Sequence, residues 1–413
     1  MKVKYLILGA GPAGLTFAQS LKKKGITDFV VVEKEDSAGG LCRSEDVDGS
    51  PLDIGGGHFL DVRRPRVNNF LFEFMPEEEW NRYSRDSRIS VNLIPPESTS
   101  GKAKTYELHH PFEANIWELP KDLQKKYLES IAVAGCNTGE PKPTKFVDWI
   151  TWKLGEDIAK DYMIPYNTKM FANNLNDLGT YWLEKLTNVS YEDTLESCKH
   201  KKAQGSQPGH SEFYYPKKYG YGEVWRRMGE DLGDKLILGT GVKAVDSLNC
   251  SVTLEDGTEI SAETIITTIP WDSFEYKWAP TKVKDSIKKL KHTSVNITYK
   301  PENLKTEAHW IYYPDMNLDY HRILVRSNFC EGSKGYWTET RSERYHENEG
   351  DITYRMDYAY PLNTTMKPDA IARVLDFGAK SHIIGLGRWG EHNHYNSDVT
   401  VDLSMKLAAK MTE

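Results

Sequence analysis

The stretch VKYLILGAGPAGLTFAQSLKKKG, followed closely by FVVVEK, constrains this chain more than any other part of it. An apolar run of strand length ends in a glycine turn. An amphipathic segment follows, and a second, valine-rich run comes after that. This order predicts a strand, helix, strand unit with parallel strands. Gly25 closes the helix behind a lysine-rich last turn. Gly9, Gly11 and Gly14 fall in GxGxxG spacing. Gly9 makes the tight turn, Gly11 lets backbone approach a pyrophosphate, and Gly14 allows close packing of helix on strand. The helix N-terminus offers N–H groups to phosphates. Glu33 ends the second strand at the distance where a carboxylate accepts hydrogen bonds from a ribose. The apolar start resembles a secretion signal in composition, but it is short and runs straight into the turn, so a buried first strand is expected.

With 413 residues the chain exceeds one compact core, and two or three domains are expected. A net charge of -7 and a pI near 6.0 give no electrostatic case for nucleic acid or an anionic membrane. No apolar run approaches membrane-spanning length, so no membrane insertion is expected. Cys42, Cys136, Cys198, Cys250 and Cys330 are far apart, form no CxxC and are odd in number. That pattern predicts a reduced, cytoplasmic protein. His392 and His394 have no carboxylate or cysteine cluster at ligand spacing, so no metal is expected.

Helical spacing dominates from Leu108 to Glu196, with Leu123, Tyr127, Ile131 and then Phe146, Ile150, Leu154 in register. Strand patterns return from KLILGTG to TTIP, with EDGTE as a hairpin turn, and from Tyr276 to Tyr360. SHIIGLGRW reads as a late buried strand entering a glycine turn. The expected fold class is α/β. A discontinuous Rossmann-like nucleotide-binding domain comprises 1–107, 208–272 and 376–413. A helical domain covers 108–207 and a mainly antiparallel β-sheet domain 273–375.

Past the second strand, EKEDSAGGLCRS places five residues between Glu33 and Gly39-Gly40, with Arg43 close behind. This segment, together with GLGRW, resembles the large FAD family of amine oxidases, protoporphyrinogen oxidases and sugar mutases. The ordered set GGH, RIS, PF, DWI, PYN, WIYYPD and GRWG narrows the resemblance to the UDP-galactopyranose mutase family, in its eukaryotic form, over most of the chain. The resemblance implies bound FAD on Gly9, Gly11, Gly14, Glu33, Lys34, Gly40, Leu41, Arg43, Gly56, Gly57, His58, Val242, Arg388 and Asn396. His58, in GGGHF, is expected beside the flavin ring, where its charge state matters near neutral pH.

The stretch HWIYYPDMNLDYHRILVRSNF sets five aromatic side chains and two histidines beside Arg322 and Arg326, and reads as a site of paired positive charge. Its strand continuation is expected through ILVRSNF. By resemblance, Tyr312, Arg322, Tyr360 and Arg388 hold a substrate diphosphate, for which the planar guanidinium fork is suited. His394 falls where a tyrosine contacts the diphosphate, and Tyr395 stands next to it. Tyr162 and Asn167 match residues that stack on and read a uracil. His110 stands in place of an expected tyrosine and Glu113 in place of a glutamine. The implied reaction is redox-neutral: N5 of reduced FAD attacks C1 of a UDP-hexose, the ring reopens, and pyranose and furanose interconvert. Catalytic roles fall to His58, Arg322 and Arg388, with NAD(P)H as a candidate external reductant. Three alternatives stay open. One is an FAD-dependent amine or protoporphyrinogen oxidoreductase, another a mutase for a different nucleotide sugar, and the third a flavin-binding scaffold without turnover. A homo-oligomer is compatible with the sequence, which does not specify it.

Overall fold

The computed structural model describes residues 1–98, 101–183, 189–205 and 209–413. By internal contacts the chain divides into two units. The first comprises 1–82, 213–292 and 356–413; the second comprises 83–212 and 293–355.

The first unit is built on the predicted strand Lys2–Leu8, helix Pro12–Lys23 and strand Phe29–Val32, with the two strands parallel. Lys2–Leu8 is buried and central. On its other side it pairs, also in parallel, with Glu259–Thr267. Ser251–Leu254 and Glu259–Thr267 form the antiparallel hairpin expected at EDGTE. Ile383–Gly385 joins the far end of Glu259–Thr267 in parallel and brings the GRWG segment to the sheet. Leu6, Leu8, Val30, Val32 and Ile265 interdigitate with Trp271, Val374 and Ile383 in one core. Burying such side chains stabilises the layer by roughly 1.5–3 kcal/mol each.

The second unit carries a sheet in which Ser87–Leu93 pairs with Lys104–His109 on one side and, in parallel, with Trp310–Tyr312 on the other. Arg322–Leu324, Tyr336–Arg341 and His292–Lys300 continue it through antiparallel pairings. Leu123, Tyr127 and Ile131 are buried along helix Lys121–Ala132, and Phe146, Ile150 and Leu154 along Phe146–Ile158, as their spacing predicts.

The observed division differs from the three domains drawn from sequence. The helical segment and the second sheet share one unit. Residues 83–107 belong to it as well, because Ser87–Leu93 and Lys104–His109 hydrogen-bond into that sheet. The strand expected through ILVRSNF is also shorter than drawn: it stops at Leu324, and a 3₁₀ turn covers Arg326–Asn328.

Candidate functional site

The glycine loop of the first unit has the geometry of a phosphate cradle. Gly9 has φ +97°, and a Cβ on Gly14 would lie 2.0 Å from the Gly9 carbonyl oxygen. Helix and strand therefore touch through backbone alone. A Cβ on Gly11 would meet only Gly40 Cα, at 3.8 Å. That side of the loop is open, at the N-terminus of Pro12–Lys23, where unpaired N–H groups favour an anion. Glu33 is buried, and its carboxylate receives the N–H of Ala10 at 2.8 Å and of Glu35 at 3.1 Å. It thus braces the loop and keeps lone pairs for a further donor. Open backbone N–H groups beside a buried acidic residue are a donor and acceptor set that fits a dinucleotide such as FAD.

The remaining residues expected at the cofactor are placed as follows. Gly40 and Leu41 form the short turn Gly40–Cys42, and Arg43 reaches back to the Gly40 carbonyl at 3.3 Å and to Glu35 at 3.2 Å. Lys34 is exposed and 3.4 Å from Glu35. Val242 opens the strand Val242–Asp246, and Asn396 precedes helix Ser397–Lys410 without capping it. His58 Nδ1 lies 2.9 Å from the Gly56 carbonyl. A carbonyl only accepts, so the proton sits on Nδ1.

Sequence reasoning missed what supports that histidine loop. Asp53 is fully buried and accepts hydrogen bonds from Ser44 Oγ at 2.5 Å, the Tyr215 hydroxyl at 3.1 Å and the Tyr221 N–H at 3.2 Å. The backbone N–H of His58 also points to it. Burial raises its carboxyl to about 7 against the pull of these donors. One carboxylate therefore ties GGGH to the helix Gly222–Leu232 region. An aspartate two residues ahead of a glycine run is the only local signal of it.

A second group forms around Arg388. Its Nε and Nη2 donate to the Tyr395 carbonyl at 3.1 and 2.9 Å, and Nη1 donates to the Ala359 carbonyl at 3.1 Å. The guanidinium lies 5.9 Å from the Tyr360 ring, and Tyr360 faces His394 at 4.9 Å. Arg388, Tyr360, His394 and Tyr395 are thus brought together. The described contacts of this arginine are all neutral, and burial lowers its pKa.

The third group lies in the second unit. Tyr312 and Arg322 are direct cross-strand partners. The indole N–H of Trp310 donates to the Tyr312 hydroxyl at 3.0 Å, which leaves the tyrosine proton to point elsewhere. Arg322 gives Nε and Nη2 to one oxygen of the buried Glu339, at 2.7 and 2.5 Å. His321, also buried, has no hydrogen-bond partner at either nitrogen, and its Nε2 stands 3.7 Å from the same carboxylate.

The positive pair expected from Arg322 and Arg326 does not form. Arg326 is buried, donates to the Lys334 carbonyl at 3.0 and 2.8 Å, and lies 4.7 Å from the Tyr299 ring. The turn after Leu324 redirects it. The second arginine near Arg322 is Arg85, whose pKa is lowered by burial and by the Arg322 charge.

Tyr162 sits in a π-helical turn, Ala159–Met163, a distortion common at functional sites. It is 3% exposed, with Phe112 at 5.5 Å and Tyr166 at 5.8 Å in near-parallel stacking. Tyr166 meets Tyr312 edge-on at 5.3 Å. Asn167 is buried and donates to the Met163 carbonyl at 2.7 Å. Tyr162 and Asn167 therefore stand in one ring cluster with Tyr312. Burial raises Glu113 above the usual carboxylate range. Among the described residues no set of three or more His, Cys, Asp or Glu side chains is grouped to hold a metal, and no helix is long and apolar enough to cross a membrane.

The glycine loop and parallel sheet give the first unit a Rossmann-like fold, and residues 7–74 match the model of the NAD(P)-binding Rossmann-like domain family. The whole chain shares its fold with a solved mutase structure. It superposes on the crystal structure of reduced UDP-galactopyranose mutase with a TM-score of 0.85 at 22% identity, covering 100% of this chain and 94% of that one. Putrescine oxidase bound to putrescine matches with a TM-score of 0.63 at 15% identity, covering 100% and 99%. A Baeyer-Villiger monooxygenase of Streptomyces coelicolor is 28% identical over 139 residues, 33% of this chain and 24% of that protein. The chain spans half or less of the length of the curated relatives it matches.

Proposed function

We propose that this chain is an FAD-dependent nucleotide-sugar mutase that interconverts pyranose and furanose forms of a UDP-hexose, of the UDP-galactopyranose and UDP-galactofuranose type. The observation that carries this reading is the cross-strand pairing of Tyr312 with Arg322 on a chain that shares the mutase fold along its full length. An oxidase pocket for an apolar amine has no use for such a pair. FAD, when bound and reduced, supplies the nucleophile toward the sugar's anomeric carbon, with NAD(P)H as an external reductant.

The chain's own residues bind, orient and neutralise. Gly9, Gly11, Gly14 and Glu33 hold the cofactor's pyrophosphate and ribose, with Gly40, Leu41, Arg43 and the GGGH loop around its remaining length. Arg322 and Arg388 are each assigned to the substrate diphosphate from their own surroundings. Arg322, paired with Glu339, has the Tyr312 hydroxyl across the strand pair, and Arg388 is held by the Tyr395 and Ala359 carbonyls beside the Tyr360 ring. Holding the leaving diphosphate makes its return to the sugar effectively intramolecular. Tyr312 in the second unit and Tyr360 in the first are each assigned a hydroxyl contact with the diphosphate, and His394 and Tyr395 lie with Tyr360 in the first. Tyr162 and Asn167 are assigned to the base. His58, with its proton on Nδ1 against the Gly56 carbonyl, is assigned a place beside the flavin. The assigned compartment is the cytoplasm.

The test is anaerobic. The flavoprotein is reduced with dithionite, mixed with UDP-galactofuranose, and the products are separated by chromatography. Conversion to UDP-galactopyranose only with reduced flavin supports the reading. No conversion, together with oxygen uptake on an amine or porphyrinogen, replaces it with the oxidoreductase reading that the putrescine oxidase likeness favours. Conversion of another nucleotide sugar alone keeps the chemistry and changes the substrate.

A further inference from the structure

Arg85 stands just ahead of strand Ser87–Leu93, and no expectation from sequence assigned it a role. Its guanidinium is held by three neutral groups. Nε donates to Ser87 Oγ at 2.8 Å, Nη1 to the Gly209 carbonyl at 2.7 Å, and Nη2 to His110 Nδ1 at 3.2 Å. The Trp310 ring lies beneath it at 4.9 Å. No carboxylate is among these contacts, and a guanidinium has more N–H donors than the three contacts use.

The contact with His110 has a consequence for that ring. Arginine only donates, so His110 Nδ1 must accept and the imidazole proton must sit on Nε2. Burial and the Arg85 charge both keep His110 neutral, far below its ordinary titration range. The ring lies 5.0 Å from Tyr312. Tyr312 in turn accepts from Trp310 and has its own proton to give. Arg85, His110 and Tyr312 thus lie together, each with a proton to give. The nearby Arg322 is neutralised by Glu339, which leaves Arg85 as a cation without a paired anion among its described contacts. A half-buried cation whose described contacts are all neutral is unfavourable until an anion joins it.

We propose that Arg85, oriented by Trp310 and coupled to His110, is a phosphate-binding residue of the second unit, and that with Tyr312 it grips the diphosphate of a nucleotide substrate. This rests on the mutase reading for the identity of the ligand. It also gives the histidine at position 110 a purpose: a tyrosine there would present no ring nitrogen to receive Arg85.

The experiment titrates the FAD-loaded protein with UDP, uridine and inorganic pyrophosphate by calorimetry, for wild type, Arg85→Gln and Arg85→Lys. Loss of a charged hydrogen-bond donor should weaken UDP and pyrophosphate by about 10–100-fold and leave uridine unchanged. Arg85→Lys keeps the charge, loses the fork, and should lose about 10-fold; it serves if Arg85→Gln does not fold. UDP binding at wild-type strength in both variants overturns the role of Arg85 and leaves the mutase reading standing. Pyrophosphate binding that depends on Arg85, without any UDP binding, keeps the anion site and removes the mutase reading. Wild-type protein that binds neither ligand overturns both.

Discussion

Gly11→Ala and Gly14→Ala should separate cofactor binding from folding, although both lie in one loop. Gly11 has φ −80° and ψ −176°, an extended conformation open to alanine, and the added Cβ would touch only Gly40 Cα at 3.8 Å. Folding has nothing to lose, and the restricted unfolded chain should add about 0.4–1 kcal/mol. The same methyl projects into the open side of the loop. A pyrophosphate there would have to shift, at a cost of about 1–3 kcal/mol, or about 5–150-fold in FAD affinity. At Gly14 the methyl would meet the Gly9 carbonyl oxygen at 2.0 Å and Ile7 Cγ2 at 3.2 Å. The helix must then move off the strand by about 1 Å, which should cost about 3 kcal/mol and lower the apoprotein melting temperature by about 6–12 °C. The assay is flavin absorbance per mole of protein after gel filtration, with melts of apoproteins so that ligand linkage does not mask stability. Gly11→Ala that retains FAD at wild-type affinity would refute the argument that the loop receives a pyrophosphate. Gly14→Ala melting with wild type would refute the close backbone packing.

Arg322→Ala should abolish mutase turnover with the flavin still bound, since the glycine loop lies in the other unit; full activity in a flavin-loaded variant would sink the role of this arginine. Glu339→Gln removes the buried carboxylate under Arg322 and should destabilise the protein by about 2–4 kcal/mol, with partial recovery on adding pyrophosphate; a melt unchanged from wild type contradicts this. Lys169 is buried, donates to the Tyr313 and Asp315 carbonyls at 2.9 and 2.7 Å, and is pushed down to about 7 chiefly by burial, with Arg344 adding to it. Between about pH 7 and its unfolded value near 10.5 the unfolded chain binds more protons, so stability should rise with pH across that window, by about 2–4 kcal/mol in all. Urea melts of Lys169→Met should lose that slope, and an unchanged slope would place its origin elsewhere.

What was legible in the sequence was chemistry confined to short segments. The unit from Lys2 to Glu33 is specified by a glycine turn, a helical stripe and two apolar runs, all local, and the fold follows them. EDGTE specifies its hairpin in the same way, and the stripes through Leu123 and Phe146 specify their helices. Tyr312 and Arg322 are singled out by a resemblance in spacing, and in the structure a turn between them returns the chain so that the two pair across antiparallel strands.

The charge pair was misread for a reason that is also physical. Arg322 and Arg326 stand close in a segment that reads as one strand through ILVRSNF, which is why the sequence suggests paired charge. The strand ends at Leu324, and the turn that follows sends Arg326 to the Lys334 carbonyl. The arginine proposed in its place, Arg85, comes from far earlier in the chain. It reaches the ring cluster because Ser87–Leu93 pairs in parallel with Trp310–Tyr312, a register that no local pattern announces. His110 arrives with it, through the pairing of Arg88 with His109. Read singly, an arginine in RYSRDS is a surface charge and a histidine in HHPFE is a lost tyrosine. Placed at one end of the sheet they form a hydrogen-bonded pair, and under the proposal for Arg85 the departure of His110 from the expected tyrosine becomes part of how this chain would meet an anion.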